Sequence, residues 1–518
     1  MGRYGMDFKR FSELREFIRR YNSTSVLEVG TKKCWQHWEV SYSKPLDWLL
    51  ANTDRNYAVR IMLLASAGNP HRHQNINIHE FERLVKSYHN WDGHTISDTH
   101  ILEEEARVLT DLIREWEANS EKVVRNWSSK LSEILNSSII RPHMTNLFLQ
   151  RSVAFQNSGF GYPIARIRRT IKLIELLINQ SDQEFSKAFS SYIGLDATIY
   201  FRQFLSCLGL FGYLSERRGF CNFSRLPNIE PQLQEAGITV ESIKAFAQQN
   251  STLFFSRSDN SLRSNINQTL NKVPEYYQPF FYNHFLEIPF IELNDKEFCL
   301  PDPFSFTESC WNQVRSLILK KITEKKLGQC LSRAFENYLE NVFLPLICPS
   351  SFHKIPEVTN PTSSKDKRAD FLVETQKTYI LIECKNCVMD SDTSAYFQVD
   401  KLADLWCRIH SALEQIKSTV EAFNLRDKPV IPLILTFYDS IAAATIFKEM
   451  IEQTNYCSLM NLNVPPIVYS LHEFEHWISD RSLDNWSELI LKKKNDNSSI
   501  MPDNRGHNYA HLKDISIL

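Results

Sequence analysis

Apolar residues recur at intervals of three and four over residues 7–20 and 101–136. That spacing places them on one face of a helix. Residues 162–178 (YPIARIRRTIKLIELLI) repeat the pattern after a Gly-Phe-Gly-Tyr-Pro breaker, and 183–212 hold two shorter amphipathic segments. Helices at this density suit a winged-helix or similar module. Residues 66–100 are polar and rich in His, Asn and Asp, so they read as loop with short helices. At 286–300 two apolar runs flank Asn294-Asp295, which predicts a hairpin, and Pro301 and Pro303 end it.

From about 312 the order of elements is clearer. A helix is predicted over roughly 312–346, with strands near 351–357, 369–375 and 378–385. A long helix is expected over 396–424, then a buried strand at 429–437, a helix at 441–453 and a strand at 466–471. A closing helix starts after Ser470, where Ser470 and Glu473 have capping-box spacing. The order α-β-β-β-α-β-α-β-α implies a central sheet flanked by helices. Pro432 counts against the first half of its strand, since it lacks an N–H for the ladder. The expected fold class is therefore multidomain: a mainly α-helical N-terminal half and a C-terminal α/β domain with a mixed central sheet. We divide the chain into helical regions 1–150 and 151–285, an α/β domain 286–480 with its leading hairpin, and a polar tail 481–518.

Composition narrows the function. The chain of 518 residues is 43% hydrophobic, enough to bury several cores, and its 33 Phe should fill them. Only 14 Gly argues for a helical body over long flexible linkers. A net charge of −2 excludes a polycationic nucleic-acid coat, so any such partner must meet a local basic surface. No run of about 18 apolar residues predicts a membrane span. No secretory signal is visible, and 11 scattered cysteines read as reduced cytoplasmic thiols.

The chemistry concentrates in 365–387, KDKRADFLVETQKTYILIECKNC. Asp370 opens one predicted strand, Thr375 to Thr378 can turn the chain, and TYILIECK delivers Glu383 and Lys385. Residues two apart on a strand share a face, so Glu383 and Lys385 point the same way. The hairpin brings Asp370 alongside them. Charges at the end of a core strand are costly unless they pair or bind a metal. Two neighbouring carboxylates favour a divalent cation, and Mg²⁺ takes few carboxylates, several waters and a phosphate oxygen. Lys385 can then orient a water or stabilise charge on phosphate.

This stretch resembles the PD-(D/E)XK, or restriction-endonuclease-like, nuclease superfamily. Asp370 matches the first Asp, and Glu383-Cys384-Lys385 matches the D/E-X-K triplet. The family's αβββαβ core corresponds to residues 312–437. The Pro that precedes the family's Asp is Ala369 here. The resemblance implies Mg²⁺, with Mn²⁺ able to substitute, held by Asp370 and Glu383, with Lys385 activating water. It implies a further Glu on the first core helix, Glu336 in Arg333-Ala334-Phe335-Glu336, with Glu340 as the alternative. It also suggests that Gln415 of the second helix can face the site, as a candidate nucleic-acid contact. Lys365, Lys367 and Arg368 are candidates for phosphate contact.

Other signals carry less. Cys384 and Cys387 form a CxxC without a second pair for zinc. His71, His73, His79, His89, His94 and His100 cluster without a metal motif. Arg166, Arg168, Arg169 and Lys172 decorate an amphipathic helix, and no Gly-Lys-Ser/Thr phosphate loop appears. The expectation is a metal-dependent nuclease, DNA favoured over RNA, of the kind found in antiphage defence or restriction. A nuclease-fold scaffold that only binds nucleic acid or a partner is the alternative, and a homo-oligomer or partner contact through the helical half stays open.

Overall fold

A computed structural model describes residues 8–43, 48–68, 74–94, 163–179, 183–193, 197–254, 261–272, 278–319, 322–348, 351–358, 367–386, 399–437 and 466–475, with breaks at 216, 227–229, 236, 280 and 472–473. The helices expected at 101–136 and 441–453, the second half of the Ser470–Glu473 cap and the tail at 481–518 lie outside the described residues. The protein mixes helix and sheet, and each of its two sheets contains both parallel and antiparallel pairs. The chain divides into two compact units, residues 1–97, 156–324 and 515–518, and residues 98–155 and 325–514.

The first unit is a helical body with a small sheet. Helices α1 (Phe11–Ile18), α2 (Ser23–Ser43), α3 (Trp48–Ser66) and α4 (Ile78–His94) come first. The polar segment 66–100 thus holds one long helix, because Phe81, Leu84, Val85 and Tyr88 give it a buried face. Asn77 starts that helix, accepting from the Glu80 N–H at 3.0 Å. Gly30 lets α2 and α3 approach closely, since a Cβ there would meet Met62 Cγ at 2.4 Å. Helices α5 (Pro163–Asn179), α6 (Gln183–Ile193) and α7 (Ala197–Gly209) follow as the periodicity predicts. The aromatic expectation also holds: Phe204 stacks on Phe306 at 3.9 Å, with Phe246 and Phe290 against them.

Strands β1 (Phe220–Asn222), β2 (Ser251–Leu253), β3 (Phe290–Glu292) and β4 (Glu297–Cys299) form a sheet of order β1-β4-β3-β2. The hairpin at 286–300 therefore forms, but it pairs with β1 and β2 of the first unit and does not lead the C-terminal sheet. Between β1 and β2, α8 (Glu230–Glu235) closes on Gly237, whose φ of 73° and the Ile238 N–H bond to Leu233 O end the helix. Thr239 then caps α9 (Val240–Gln249) through a reciprocal bond pair with Ser242. Helix α10 (Leu262–Lys272) precedes β3.

The helix expected over 312–346 is divided. Helix α11 (Pro303–Leu319) ends well before α12 (Glu324–Tyr338), which runs through a widened turn at Leu339–Phe343 into α13 (Leu344–Ile347). Thr323 stands just before α12, a residue type that favours helix starts over interiors.

The second unit is built on a five-stranded sheet of order β5-β6-β7-β8-β9. These strands are Phe352–Lys354, Phe371–Glu374, Tyr379–Lys385, Val430–Thr436 and Ile467–Ser470. The first three pair antiparallel, and β8 and β9 are parallel to β7. Helix α14 (Val399–Phe423) spans the crossover from β7 to β8. Ile380, Ile382, Ile431, Leu433 and Leu435 are fully buried, as are Leu413 and Ile416 of α14.

Pro432 does not shorten β8. The Tyr379 N–H bonds Pro429 O and the Phe437 N–H bonds Lys385 O, so the odd-numbered residues of β8 face β7. Pro432 faces the other side, where β9 first pairs at Leu433. Its missing N–H costs the ladder nothing there.

Candidate active site

Asp370, Glu383 and Lys385 are brought together at one end of the β6–β7 hairpin. Thr375 and Thr378 close that hairpin through the Thr375 N–H bond to Thr378 O at 2.9 Å and a hydroxyl contact of 2.9 Å. Antiparallel register from Glu374↔Tyr379 to Phe371↔Ile382 then carries the chain back to Asp370. There the Asp370 N–H bonds Ile382 O at 3.0 Å, and its carboxylate accepts from the Cys384 N–H at 2.7 Å.

Glu383 is 2% exposed, and Lys385 Nζ donates to its Oε1 at 2.5 Å. Gln415 of α14 completes the set and is 5% exposed. With its amide nitrogen toward the carboxylate, it donates to Glu383 Oε1 at 2.5 Å and Oε2 at 3.2 Å, and accepts from Lys385 Nζ at 3.2 Å. A single side chain from the flanking helix thus bridges both members of the triplet.

Glu336 reaches the same place from α12, although it lies off that helix's apolar stripe of Leu327, Cys330, Leu331, Ala334 and Phe335. Burial raises its carboxyl to about 7, and the negative charge of Asp370 adds to the shift. Glu340 is committed elsewhere, bonded to Lys354 of the edge strand β5 at 2.6 Å. Glu336 is the helix carboxylate whose charge is coupled to those of Asp370 and Glu383.

The electrostatics are one-sided. Burial pushes the Glu383 carboxyl up to about 8, with Asp370 the next cause and Lys385 opposing it. Burial also raises Asp370, against the Cys384 N–H bond and Lys385, which lower it. Glu357, just past β5 and exposed, adds negative charge to both Asp370 and Glu336. Motif spacing missed Glu357, because only the edge position of β5 places it near Asp370. Among the described residues, Lys385 faces Glu383, Asp370 and Glu336, and Lys354, bonded to Glu340, also offsets the charge on Glu336; the carboxylates still outnumber the ammonium groups, an arrangement that favours a cation or a proton.

Among the described residues, no group of three or more His, Cys, Asp and Glu forms a ready metal cage. The donors present are Asp370 and Glu383, with Glu336 beside them. Such a set suits Mg²⁺, which keeps waters and takes one or two carboxylates, better than zinc, which wants four soft or imidazole ligands.

The approach to Asp370 is tied to α14. The Arg368 guanidinium bonds Ser418 Oγ, and the Ala369 N–H donates to Thr419 Oγ1 at 2.8 Å. A proline at 369 could not make that second bond. Lys367 is exposed beside Arg368, while Lys365 and Cys387 lie outside the described residues. His79, His89 and His94 fall on α4, and His71, His73 and His100 are not described. Lys172 of α5 pairs with Glu175 at 3.2 Å. The described cysteines carry free thiols, and among the described residues no helix is long and apolar enough to cross a membrane. No family model, curated protein or solved structure matches this chain.

Proposed function

We propose that this chain is a divalent-metal-dependent nuclease of the restriction-endonuclease-like kind, hydrolysing phosphodiester bonds at Asp370, Glu383 and Lys385. One observation carries the reading. The buried Glu383 carboxylate, the part-buried Asp370 carboxylate and the Lys385 ammonium converge at the end of a core strand, with Glu336 beside them and Glu383 held up at about 8 by burial and Asp370. A structural salt bridge would balance its charges, whereas this site has negative charge in excess. The element order from α12 through β5, β6, β7 and α14 to β8 supports the same reading.

Asp370 and Glu383 would hold Mg²⁺, or Mn²⁺ in its place. When bound, that ion supplies Lewis-acid polarisation of a phosphoryl oxygen and acidifies a water. Lys385 donates toward the attacking water or the charge that develops on phosphate. Glu336, with a carboxyl near 7, is matched to accept a proton at neutral pH. Lys367 and Arg368 precede Asp370 and are candidates to meet the nucleic-acid backbone. DNA is the favoured substrate, the first unit serves recognition or triggering, and defence or restriction in the cytoplasm is the setting by analogy.

The test is cleavage of supercoiled, linear and single-stranded DNA and of RNA in Mg²⁺ or Mn²⁺, by wild type and Asp370→Asn. Metal-dependent cleavage that Asp370→Asn abolishes supports the proposal. The Glu383–Lys385 ion pair favours a second reading, a nuclease-fold protein that binds nucleic acid or a partner without cutting it. Tight nucleic-acid binding with no cleavage of any substrate selects that reading.

A further inference from the structure

We infer that Gln415 is a positioning residue, which holds Lys385 and Glu383 in a fixed relation from α14, and not a nucleic-acid contact. The inference rests on the proposed hydrolysis at this site. Gln415 is 5% exposed, so its amide is withheld from a macromolecular ligand. With the amide nitrogen turned toward Glu383, it reaches both carboxylate oxygens, at 2.5 and 3.2 Å, and its oxygen reaches Lys385 Nζ at 3.2 Å; in the opposite orientation Lys385 Nζ still donates to Gln415 Oε1 at 3.4 Å. A side chain bonded to both ends of an ion pair fixes its geometry more than its strength.

The helix behind it is anchored for that task. Gln415, Ser418 and Thr419 lie three and four apart, on one face of α14. The Thr419 hydroxyl donates to the Gln415 carbonyl at 2.8 Å and accepts from the Ala369 N–H at 2.8 Å. Ser418 takes the Arg368 guanidinium. One helix face therefore bonds both Arg368 and Ala369, which lead into Asp370 and β6, and the end of β7, which carries Glu383 and Lys385.

The test compares wild type with Gln415→Met, which keeps the length of the side chain and removes both hydrogen-bonding ends. On the substrate that wild type cleaves in Mg²⁺, kcat falls about 10–100-fold, as for the loss of an orienting partner behind a metal ligand. KM and the dissociation constant for that nucleic acid in Ca²⁺ stay within about twofold. A rise in KM with kcat preserved, or no change in either, overturns the inference. If Gln415→Met does not fold, Gln415→Asn decides. Its amide is one methylene short, keeps the site polar, and should show the same loss in kcat alone. A second measurement needs no cleavage: the rate at which acetic anhydride acylates Lys385. That rate rises severalfold when the amide is removed, and an unchanged rate contradicts the positioning role. Wild type that cleaves nothing counts against the proposed function, while the acylation rate still judges Gln415.

Discussion

Each unit buries an acid–base pair, and the two pairs differ in what surrounds them. In the first unit Arg55 and Asp302 have fully buried side chains, with Arg55 Nη1 2.5 Å from Asp302 Oδ2. Asp302 also caps α11, accepting from the N–H groups of Phe304 and Ser305 and from the Ser305 hydroxyl. Arg55 lies over the Phe304 ring, 4.6 Å from its centroid. Every charge there is answered. In the second unit Glu383 meets Lys385 at the same 2.5 Å, yet Asp370 and Glu336 add negative charge that Lys385 and the Glu340-bonded Lys354 do not balance among the described residues. Burial alone therefore does not mark a site; unbalanced burial does. The first pair holds a fold together, and the second is an arrangement that a cation would complete.

The largest expected effect breaks the balanced pair. Arg55→Met leaves Asp302 buried without its partner and should cost about 3–5 kcal/mol, read by denaturant unfolding. A loss under about 1 kcal/mol would mean that the cap alone sustains Asp302.

The unbalanced pair predicts a slope with pH. Glu383 is raised from its ordinary 4.5 to about 8, so the folded protein holds a proton there that the unfolded chain has already lost. The associated stability is full below about 4.5 and falls as pH rises through about 8. Metal-free protein should therefore lose stability across that window, and Glu383→Gln should flatten the loss. A slope of opposite sign, or one that Glu383→Gln leaves unchanged, contradicts the electrostatic account.

A smaller effect tests the helix face behind the site. Thr419→Val keeps the shape but leaves the buried Ala369 N–H unanswered, at a cost of about 1–3 kcal/mol in thermal unfolding. The smallest effect separates the two helix carboxylates. Glu340→Ala breaks only the half-exposed pair with Lys354, so stability should change by about 0–1 kcal/mol and cleavage should hold. Glu336→Gln should lower cleavage instead, and equal losses from both would return Glu340 to the site.

Much of the second unit was legible in the order of its residues, because β6, β7 and β8 are short apolar runs bounded by turn residues. Alternation placed Glu383 and Lys385 on one face, and Thr375 with Thr378 marked the turn. Three features were less visible, for physical reasons. Pro432 read as a strand breaker, since no local pattern shows which side of a strand lacks a neighbour. The hairpin Phe290–Cys299 looked like the start of the next domain, because its partners β1 and β2 are distant in sequence and only three residues each. Gln415 could be placed toward the site by resemblance, but its hydrogen bonds to both Glu383 and Lys385 depend on the lateral position of α14. Glu357 gave no signal, being an exposed Glu in a loop beside the edge strand.

Lys385 is the residue whose loss bears most directly on the proposed chemistry. Cleavage of nucleic acid in Mg²⁺ should be compared between wild type and Lys385→Ala, with Mn²⁺ binding and thermal unfolding measured on both. Removing the ammonium bonded to Glu383 should lower cleavage by about 10²–10³-fold while the fold and Mn²⁺ binding persist. Undiminished cleavage by Lys385→Ala would contradict that chemistry.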